Sequence, residues 1–235
     1  MKKLNKIIIS KFNSKEELEN QLSGFIYETL KKKISKFGNS SIALSGGETP
    51  LNLYSNLSRK RIDWGKIDLS LVDERLAGPK SKDSNQRNIL ESLSLDSEQL
   101  RTFNSFEFTL ASDGEPRLNK GAVHYNLPFD ICLLGMGQDG HFASIFPNVE
   151  NIDYLLDKKN TELVSIVKSK EKIPYRFTMT FRAISQSEHI ILYVNGEEKL
   201  SLIEKILDSN LSSTEYPIKK VFDEYEHDLK IYWCN

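Results

Sequence analysis

Short apolar segments alternate with helical patterns along this chain, and the alternation limits the possible folds more than any other feature. Segments that resemble buried strands are residues 41–44, 69–72, 129–134, 164–167, 177–181 and 189–194. Strands that alternate with helices predict βα units and a mostly parallel sheet covered by helices on both faces. A chain of 235 residues can bury a full core around one such sheet. We therefore predict an α/β protein in which residues 1–235 form a single domain.

Capping residues mark where the predicted helices begin and end. Ser14 and Glu17 form a capping-box pattern at the start of a helix that ends near residue 37, before Gly38. Thr49 is the predicted N-cap of a second helix and Pro50 its first residue. The remaining predicted elements are a first strand at 7–9, helices starting near 84 and 196, a short helix with flanking loops within 105–126, and an edge strand at 228–233.

Composition and charge exclude several classes of protein. The 32 basic and 33 acidic residues are interspersed, so the chain has no field of one sign that would recruit nucleic acid. The amino-terminal apolar run is only three isoleucines, which is too short for a signal-peptide core or a membrane span. Two cysteines, Cys132 and Cys234, favour a reducing compartment over a disulfide framework or a metal cage. We predict a cytoplasmic protein whose partners include neither nucleic acid nor membrane.

The first of three notable loops joins a predicted strand to a predicted helix. It reads Ser45-Gly46-Gly47-Glu48-Thr49. Glycines let the backbone approach a ligand, and two hydroxyls beside a helix N-terminus suit a phosphate. A plain tight turn with an ordinary N-cap would have the same sequence. The loop lacks the lysine of a P-loop and the glycine spacing of a dinucleotide-binding fingerprint.

The second loop carries three consecutive charges, Asp73-Glu74-Arg75, directly after a buried strand. All three side chains cannot point the same way, so at least one should project into the crevice at the strand ends. The guanidinium of Arg75 offers a rigid fork for a phosphate or a developing carboxylate. The alternative is a solvated strand end with local ion pairs.

The third loop, residues 135–146, contains Asp139 and His141 on either side of Gly140. A histidine beside a carboxylate can serve as an oriented general base or acid near neutral pH. Alternatively, Asp139 caps the next helix and His141 packs beside it. A metal site would need a second ligand cluster, and the sequence does not suggest one. The other histidines, His124, His189 and His227, are predicted to be structural.

Two further basic residues extend the candidate site. Arg176 follows Pro174 at the start of an apolar strand, and Lys199 lies in the first turn of a predicted helix. The helix dipole disfavours a cation at that end, and a nearby bound anion would offset the mismatch. The alternative for Lys199 is an ordinary surface lysine.

Together these segments resemble the 6-phosphogluconolactonase family, which is related to the glucosamine-6-phosphate deaminases. The matching segments occur in the family order and span most of the chain. They are Leu44-Ser-Gly-Gly-Glu-Thr-Pro50, Asp73-Glu-Arg75, Asp83-Ser-Asn85, Leu133-Leu-Gly-Met-Gly-Gln-Asp-Gly-His141 with Ala143-Ser144 and Phe146-Pro147, Pro174-x-Arg176-x-Thr178 and Gly196-Glu-Glu-Lys199. The block around His141 is the most specific of them.

The resemblance implies a three-layer α/β/α fold with a mostly parallel, Rossmann-like sheet and neither a metal nor an organic cofactor. It implies hydrolysis of 6-phospho-D-glucono-1,5-lactone in the oxidative pentose phosphate pathway by a monomer or weak homo-oligomer. By motif position, His141 would be the catalytic histidine, while Asp73, Arg75 and Asp139 would shape the reacting end. The substrate phosphate would be held by Ser45, Gly46, Gly47, Thr49, Arg176 and Lys199.

Two alternative functions remain open at the level of sequence. The related deaminases resemble this chain around His141 but carry a catalytic glutamate where this chain has Phe146. A phenyl ring cannot transfer protons, so ring-opening isomerisation is disfavoured. A non-catalytic sugar-phosphate-binding module is the other alternative, and the presence of both Asp139 and His141 argues against it. Gln138 and Phe142 stand where the family often has proline and threonine, which affects loop stiffness and not the proposed proton transfer.

Overall fold

The computed structural model of the chain describes residues 6–78, 80–119 and 125–235, which contain twelve β-strands and seven α-helices. The strands are β1 Ile7–Phe12, β2 Ser40–Leu44, β3 Ile67–Leu71, β4 Asp73–Arg75, β5 Thr102–Asn104, β6 Phe108–Leu110, β7 Pro116–Leu118, β8 Ile131–Leu134, β9 Val164–Lys168, β10 Tyr175–Met179, β11 His189–Asn195 and β12 Leu229–Cys234. The helices are α1 Lys15–Phe37, α2 Leu51–Ser58, α3 Asn85–Leu93, α4 Ile152–Leu156, α5 Phe181–Ser185, α6 Glu197–Leu207 and α7 Ile218–Glu224.

Seven strands form the central sheet in the order β1-β12-β11-β8-β2-β3-β5. Every neighbouring pair is parallel, so all the carboxyl ends lie along one edge. From β2 the chain adds β3 and β5 on one side, and it then adds β8, β11 and β12 on the other. The direction therefore reverses between β2 and β8, where open α/β sheets characteristically bind ligands.

Helices cover both faces of this sheet because its strands are apolar on both sides. On β8, Ile131 and Leu133 face one layer, whereas Cys132 and Leu134 face the other. The first layer consists of α1, α2 and α3, and the second of α4, α5, α6 and α7. The predicted three-layer α/β/α fold with a Rossmann-like sheet is confirmed. No helix in the described ranges is long and apolar enough to cross a membrane.

A second, antiparallel sheet of order β4-β10-β9 stands beside the carboxyl edge of the central sheet. It is linked to that sheet through Val72, whose N–H donates to Leu44 O and whose carbonyl accepts from Met179 N at 2.8 Å. The charged segment Asp73–Arg75, predicted as a loop, is therefore a strand. Its register with β10 pairs Arg75 with Arg176.

Two further segments differ from the sequence prediction, one in its secondary structure and one in its position in the sheet. The stretch 105–126 forms the hairpin β6-β7 and not a short helix, although residues 120–124 lie outside the described part of the chain. The turn at Gly114, with φ +82°, lets Phe108–Leu110 fold back onto Pro116–Leu118. The tail strand β12 is not an edge strand, because β1 pairs with it on the outer side.

The helix boundaries agree with the capping prediction at most positions. Ser14 accepts a hydrogen bond from Glu17 N at 3.1 Å, and α1 ends at Gly38 in the left-handed conformation. Thr49 is not an N-cap: α2 begins at Leu51, with Pro50 in the capping position and without a side-chain cap. The turn at 48–50 instead directs the Thr49 hydroxyl toward Asn195, at the end of β11.

Candidate active site

A cleft of about 260 Å³ opens at the carboxyl edge of the central sheet, beside the β2–β8 reversal. It is lined by nine of the ten residues that the sequence suggested for the site, although these are separated by up to 154 positions. They are Ser45, Gly46, Gly47, Thr49, Asp73, Arg75, His141, Arg176 and Lys199. The tenth, Asp139, does not line the cleft but is hydrogen-bonded to His141.

The turn after β2 forms one wall of the cleft. Ser45 N donates to Leu133 O at 3.2 Å, and Ser45 O accepts from Tyr54 Oη at 2.5 Å, so the turn is tied to β8 and to α2. Gly46 packs directly against the side chain of Asn85, and Gly47 has a φ of +89° that favours glycine. The turn is therefore held rigidly and presents its backbone to the cleft.

The small antiparallel sheet contributes two arginines that lie side by side. Arg75 Nη1 donates to Asp83 O at 2.7 Å, and Arg176 Nε donates to Ile173 O at 3.1 Å. Burial, together with the neighbouring Arg75 guanidinium, holds the pKa of Arg176 below its ordinary value. Two adjacent guanidinium groups repel each other, so negatively charged groups of a ligand bound beside them would be stabilised.

The two carboxylates of β4 point in different directions. Asp73 lines the cleft, but its oxygens accept hydrogen bonds from Asn85 Nδ2 at 3.1 Å and Ser144 Oγ at 2.6 Å. Glu74 does not line the cleft, because it accepts from the amides of Asn85 and Gln86 at the amino terminus of α3. Of the two, only Asp73 borders the substrate space, and its oxygens are already engaged.

His141 is oriented by Asp139 within the glycine-rich loop that follows β8. Asp139 Oδ1 accepts from His141 Nδ1 at 2.6 Å and from His141 N at 3.1 Å. Burial opposes ionisation of Asp139, but the hydrogen bond and charge of His141 outweigh it and hold the pKa of Asp139 below its ordinary value. An ionised carboxylate only accepts, so Nδ1 must donate and Nε2 of the neutral ring is left as a base.

The glycines of this loop make room for the imidazole. A Cβ on Gly137 would lie 2.2 Å from His141 Nδ1, and Gly137 N donates to His141 O at 3.0 Å. Gly140, with a φ of +76°, completes the turn. The spacing of glycines around Asp139 therefore has a steric cause, since a side chain at 137 would displace the ring.

Lys199 lies half-buried in the first turn of α6, with Glu197 and Glu198 before it. Burial lowers the pKa of its ammonium group. The hydrogen bonds of Arg75 and Arg176 go to backbone carbonyls, and burial is the only cause of the lowered pKa of Lys199. The described lining of the cleft therefore has three cationic side chains and one carboxylate, Asp73, and a doubly charged phosphate would balance the remaining positive charge.

Sequence reasoning did not assign several residues that border the cleft. The sequence places Asn85 only in a matching motif near a helix start, yet its side-chain amide supports Asp73. Phe146 places its ring 4.5 Å from that of His141 and 5.8 Å from the Arg176 guanidinium. Tyr193 donates to the buried Glu19 at 2.9 Å. For Tyr193, the sequence signal that could have identified it is a polar hydroxyl within the otherwise apolar strand β11.

Comparisons with known proteins agree with this geometry. The family model described as glucosamine-6-phosphate isomerases/6-phosphogluconolactonase matches residues 13–233. The chain is 28% identical over 225 residues to a 6-phosphogluconolactonase of Rhizobium meliloti, covering 95% of this chain and 97% of that one. It is 31% identical over 214 residues to one of Xylella fastidiosa, covering 87% of each. A crystal structure of a 6-phosphogluconolactonase from Shewanella baltica superposes with a TM-score of 0.88 at 29% identity, covering 99% of both chains.

Proposed function

The chain belongs to the family of glucosamine-6-phosphate isomerases and 6-phosphogluconolactonases, and from that membership we propose that it hydrolyses 6-phospho-D-glucono-1,5-lactone to 6-phospho-D-gluconate. The observation that carries the proposal is that the His141–Asp139 pair and the Ser45–Thr49 turn meet at one cleft. An oriented base and an anion site within one small cavity suit a phosphorylated substrate with a reactive carbonyl.

Lactone hydrolysis begins with attack of water on the C1 carbonyl. His141 Nε2 takes a proton from that water as the new C–O bond forms, and the carbonyl oxygen becomes an oxyanion. The tetrahedral intermediate then collapses with cleavage of the bond between C1 and the ring oxygen. His141 returns the proton to the ring oxygen, which becomes the 5-hydroxyl of the acid. Asp139 keeps the ring in the required tautomer throughout.

The cations of the cleft divide between the two ends of the substrate. Arg75, next to Asp73 and beside the reacting end, stabilises the oxyanion together with loop amides. Arg176, Lys199 and the Ser45–Thr49 turn hold the phosphate. The phosphate lies far from the bond that breaks, so its binding energy serves to position the carbonyl near His141.

The residues lining the cleft weigh against the isomerase branch of the family. Phe146 occupies the position of the deaminase glutamate and packs against the imidazole. Among the described residues that line the cleft, Asp73 is the only carboxylate, and its oxygens accept from Asn85 and Ser144. The retained His141–Asp139 pair likewise weighs against a binding module without catalysis.

The proposal is tested by steady-state kinetics on purified protein. The product is measured in a coupled assay that oxidises 6-phosphogluconate, corrected for spontaneous hydrolysis. His141→Ala is expected to lower kcat by about 10²–10⁴, the range of a lost general base. Arg176→Ala should mainly raise KM, by about tenfold, because it removes binding that substrate and transition state share.

Two results would contradict the proposal. Wild-type turnover in His141→Ala would show that the histidine is not the base. Release of ammonia from glucosamine 6-phosphate, without lactone hydrolysis, would assign the protein to the isomerase branch.

We also infer a cytoplasmic location and a monomeric or weakly homo-oligomeric state. Both cysteines, Cys132 and Cys234, are buried free thiols, which supports a reducing compartment. Residues 1–235 are proposed to act as a single domain.

A further inference from the structure

The turn that follows His141 has an unfavourable backbone conformation that its surroundings must enforce. Ala143 has a φ of +50°, in the left-handed region that a residue with a side chain rarely adopts. Ile145 N donates to Phe142 O at 3.0 Å and closes the turn. Such conformations persist where neighbouring contacts hold them in place, and they concentrate at functional sites.

Ser144, at the centre of this turn, makes the contacts that hold it. The residue is fully buried, with 0% exposure. Its N–H donates to Thr178 Oγ1 at 3.2 Å, and its hydroxyl donates to Asp73 Oδ2 at 2.6 Å. A buried hydroxyl on a carboxylate makes a charge-assisted bond, which is shorter and stronger than one between neutral groups.

Asp73 is itself held from the opposite side. Asn85 Nδ2 donates to Asp73 O at 2.9 Å and to Asp73 Oδ1 at 3.1 Å. Asp73 as a whole residue is 8% exposed, so solvent contributes little to its position. Ser144 is therefore bonded to an acceptor that does not move freely, which makes it a fixed point for the loop.

These bonds connect the two groups that the proposed reaction needs close together. His141 lies three residues before Ser144 in the chain, while Arg75 lies two residues after Asp73 and Arg176 two residues before Thr178. The Ser144 bonds therefore join the loop that carries the imidazole to both strands that carry the guanidinium groups. Within the described part of the chain, no other hydrogen bond connects the turn at 142–145 with β4.

We propose that Ser144 is a positioning residue: its buried bond to Asp73 sets the distance between the His141 imidazole and the Arg75 guanidinium. This inference rests on the proposed lactonase function. Catalytic groups must be held to within a fraction of an ångström, so a loosened loop lowers turnover although His141 is intact. The phosphate contacts of Lys199 and the Ser45–Thr49 turn are unaffected, so substrate binding should change little.

The test compares Ser144→Ala with Ser187→Ala. Ser187 is also 0% exposed, and its hydroxyl donates to a backbone carbonyl, Ile184 O, at 2.8 Å outside the cleft. Ser144→Ala is expected to lower kcat by about tenfold or more with KM changed less than about twofold. Ser187→Ala should lower the melting temperature and leave kcat unchanged, which separates positioning from general stability.

A double-mutant cycle identifies the partner. Asp73→Asn and Ser144→Ala each remove or weaken the same bond, so the double variant should lose no more turnover than the more impaired single variant. Fully multiplicative losses would show that Ser144 does not act through Asp73 and would overturn the proposal.

A second variant of Ser144 allows the proposal to be tested even if Ser144→Ala does not fold. If Ser144→Ala does not fold, Ser144→Cys keeps the shape of the side chain with a much weaker donor and should also lower kcat. If the wild type is active and a folded Ser144 variant has the same kcat, the positioning role is wrong, but the proposed lactonase function still stands. Absence of lactonase activity in the wild type would instead reject the proposed function.

Discussion

Gly46 is a position in the cleft wall that has no room for a single added carbon. Its φ is not in the left-handed region, so the need for glycine does not come from backbone conformation. A Cβ at this position would lie 1.9 Å from Asn85 Oδ1 and 2.0 Å from Asn85 Cγ. Asn85 is 1% exposed and supports Asp73, so it has no free space into which to withdraw.

Gly46→Ala is therefore expected to destabilise the protein and reduce catalysis together. Displacing Asn85 breaks its bonds to Asp73, and overpacking of this kind costs about 1–3 kcal/mol. Thermal unfolding should show a lower melting temperature, and kcat/KM should fall by at least about tenfold.

Gly24→Ala is the matched control for that substitution. Gly24 lies inside α1, and an added Cβ there meets no atom within 4 Å. The change should raise stability by about 0.5–1 kcal/mol through helix propensity and leave kcat/KM unchanged. If Gly46→Ala and Gly24→Ala have the same melting temperature and the same kcat/KM, then contact with Asn85 is not the reason for glycine at position 46.

At the scale of elements, β4 and α3 form a unit joined by one buried side chain. Glu74 is 8% exposed, and its carboxylate accepts from Arg75 N, Ser84 Oγ, Asn85 N and Gln86 N at 2.6–2.9 Å. Free amides at a helix amino terminus favour a nearby negative charge. Glu74, which belongs to β4, therefore caps the amino terminus of α3. This contact holds Asn85, the first residue of α3, in the lining of the cleft.

Glu74→Gln should destabilise the protein by about 2–4 kcal/mol. The NH2 group of glutamine cannot accept a hydrogen bond, so it would face buried donors that the glutamate oxygen now satisfies. Urea denaturation measures the free energy of unfolding directly. Glu91→Gln is the control on the same helix, since Glu91 pairs with Arg87 at an exposed position and should change stability by less than about 1 kcal/mol. A loss below about 1 kcal/mol for Glu74→Gln would refute the capping role.

For the whole molecule, the decisive feature is the reversal of strand order between β2 and β8. It brings the Ser45–Thr49 turn and the His141 loop to adjacent strands, although they are about ninety residues apart in the chain. The antiparallel sheet then adds Arg75 and Arg176 from the side. A ligand bound in the cleft would contact segments from much of the chain, so we expect its binding to stabilise the fold as a unit.

Thermal unfolding with 6-phosphogluconate tests this coupling. At one hundred times its Kd, the ligand adds about 2.7 kcal/mol of stability, which corresponds to a rise of roughly 5–10 °C for a domain of this size. Unphosphorylated gluconate at the same concentration should give a much smaller rise. Lys199→Gln should reduce the shift, and Lys205→Gln on the same helix should not; equal shifts in both variants would exclude Lys199 from the phosphate site.

The sequence by itself determined the α/β class, most helix and strand positions, and the candidate residues at the strand ends. These features depend on residue patterns a few positions long, such as the capping residues Ser14 and Gly38 or the apolar run of β8, and near neighbours decide them. The roles given to the candidate residues stay predictions that the kinetic experiments test.

Only the tertiary structure decided which of these residues share a contact. It made Asp73–Arg75 a strand, put β12 inside the sheet, and joined Ser144 to Asp73 across 71 positions of the chain. The physical reason is that strand pairing and buried hydrogen bonds between distant segments depend on how layers pack, and no local pattern encodes that choice. The same holds for Gly46, whose requirement comes from a neighbour 39 residues away.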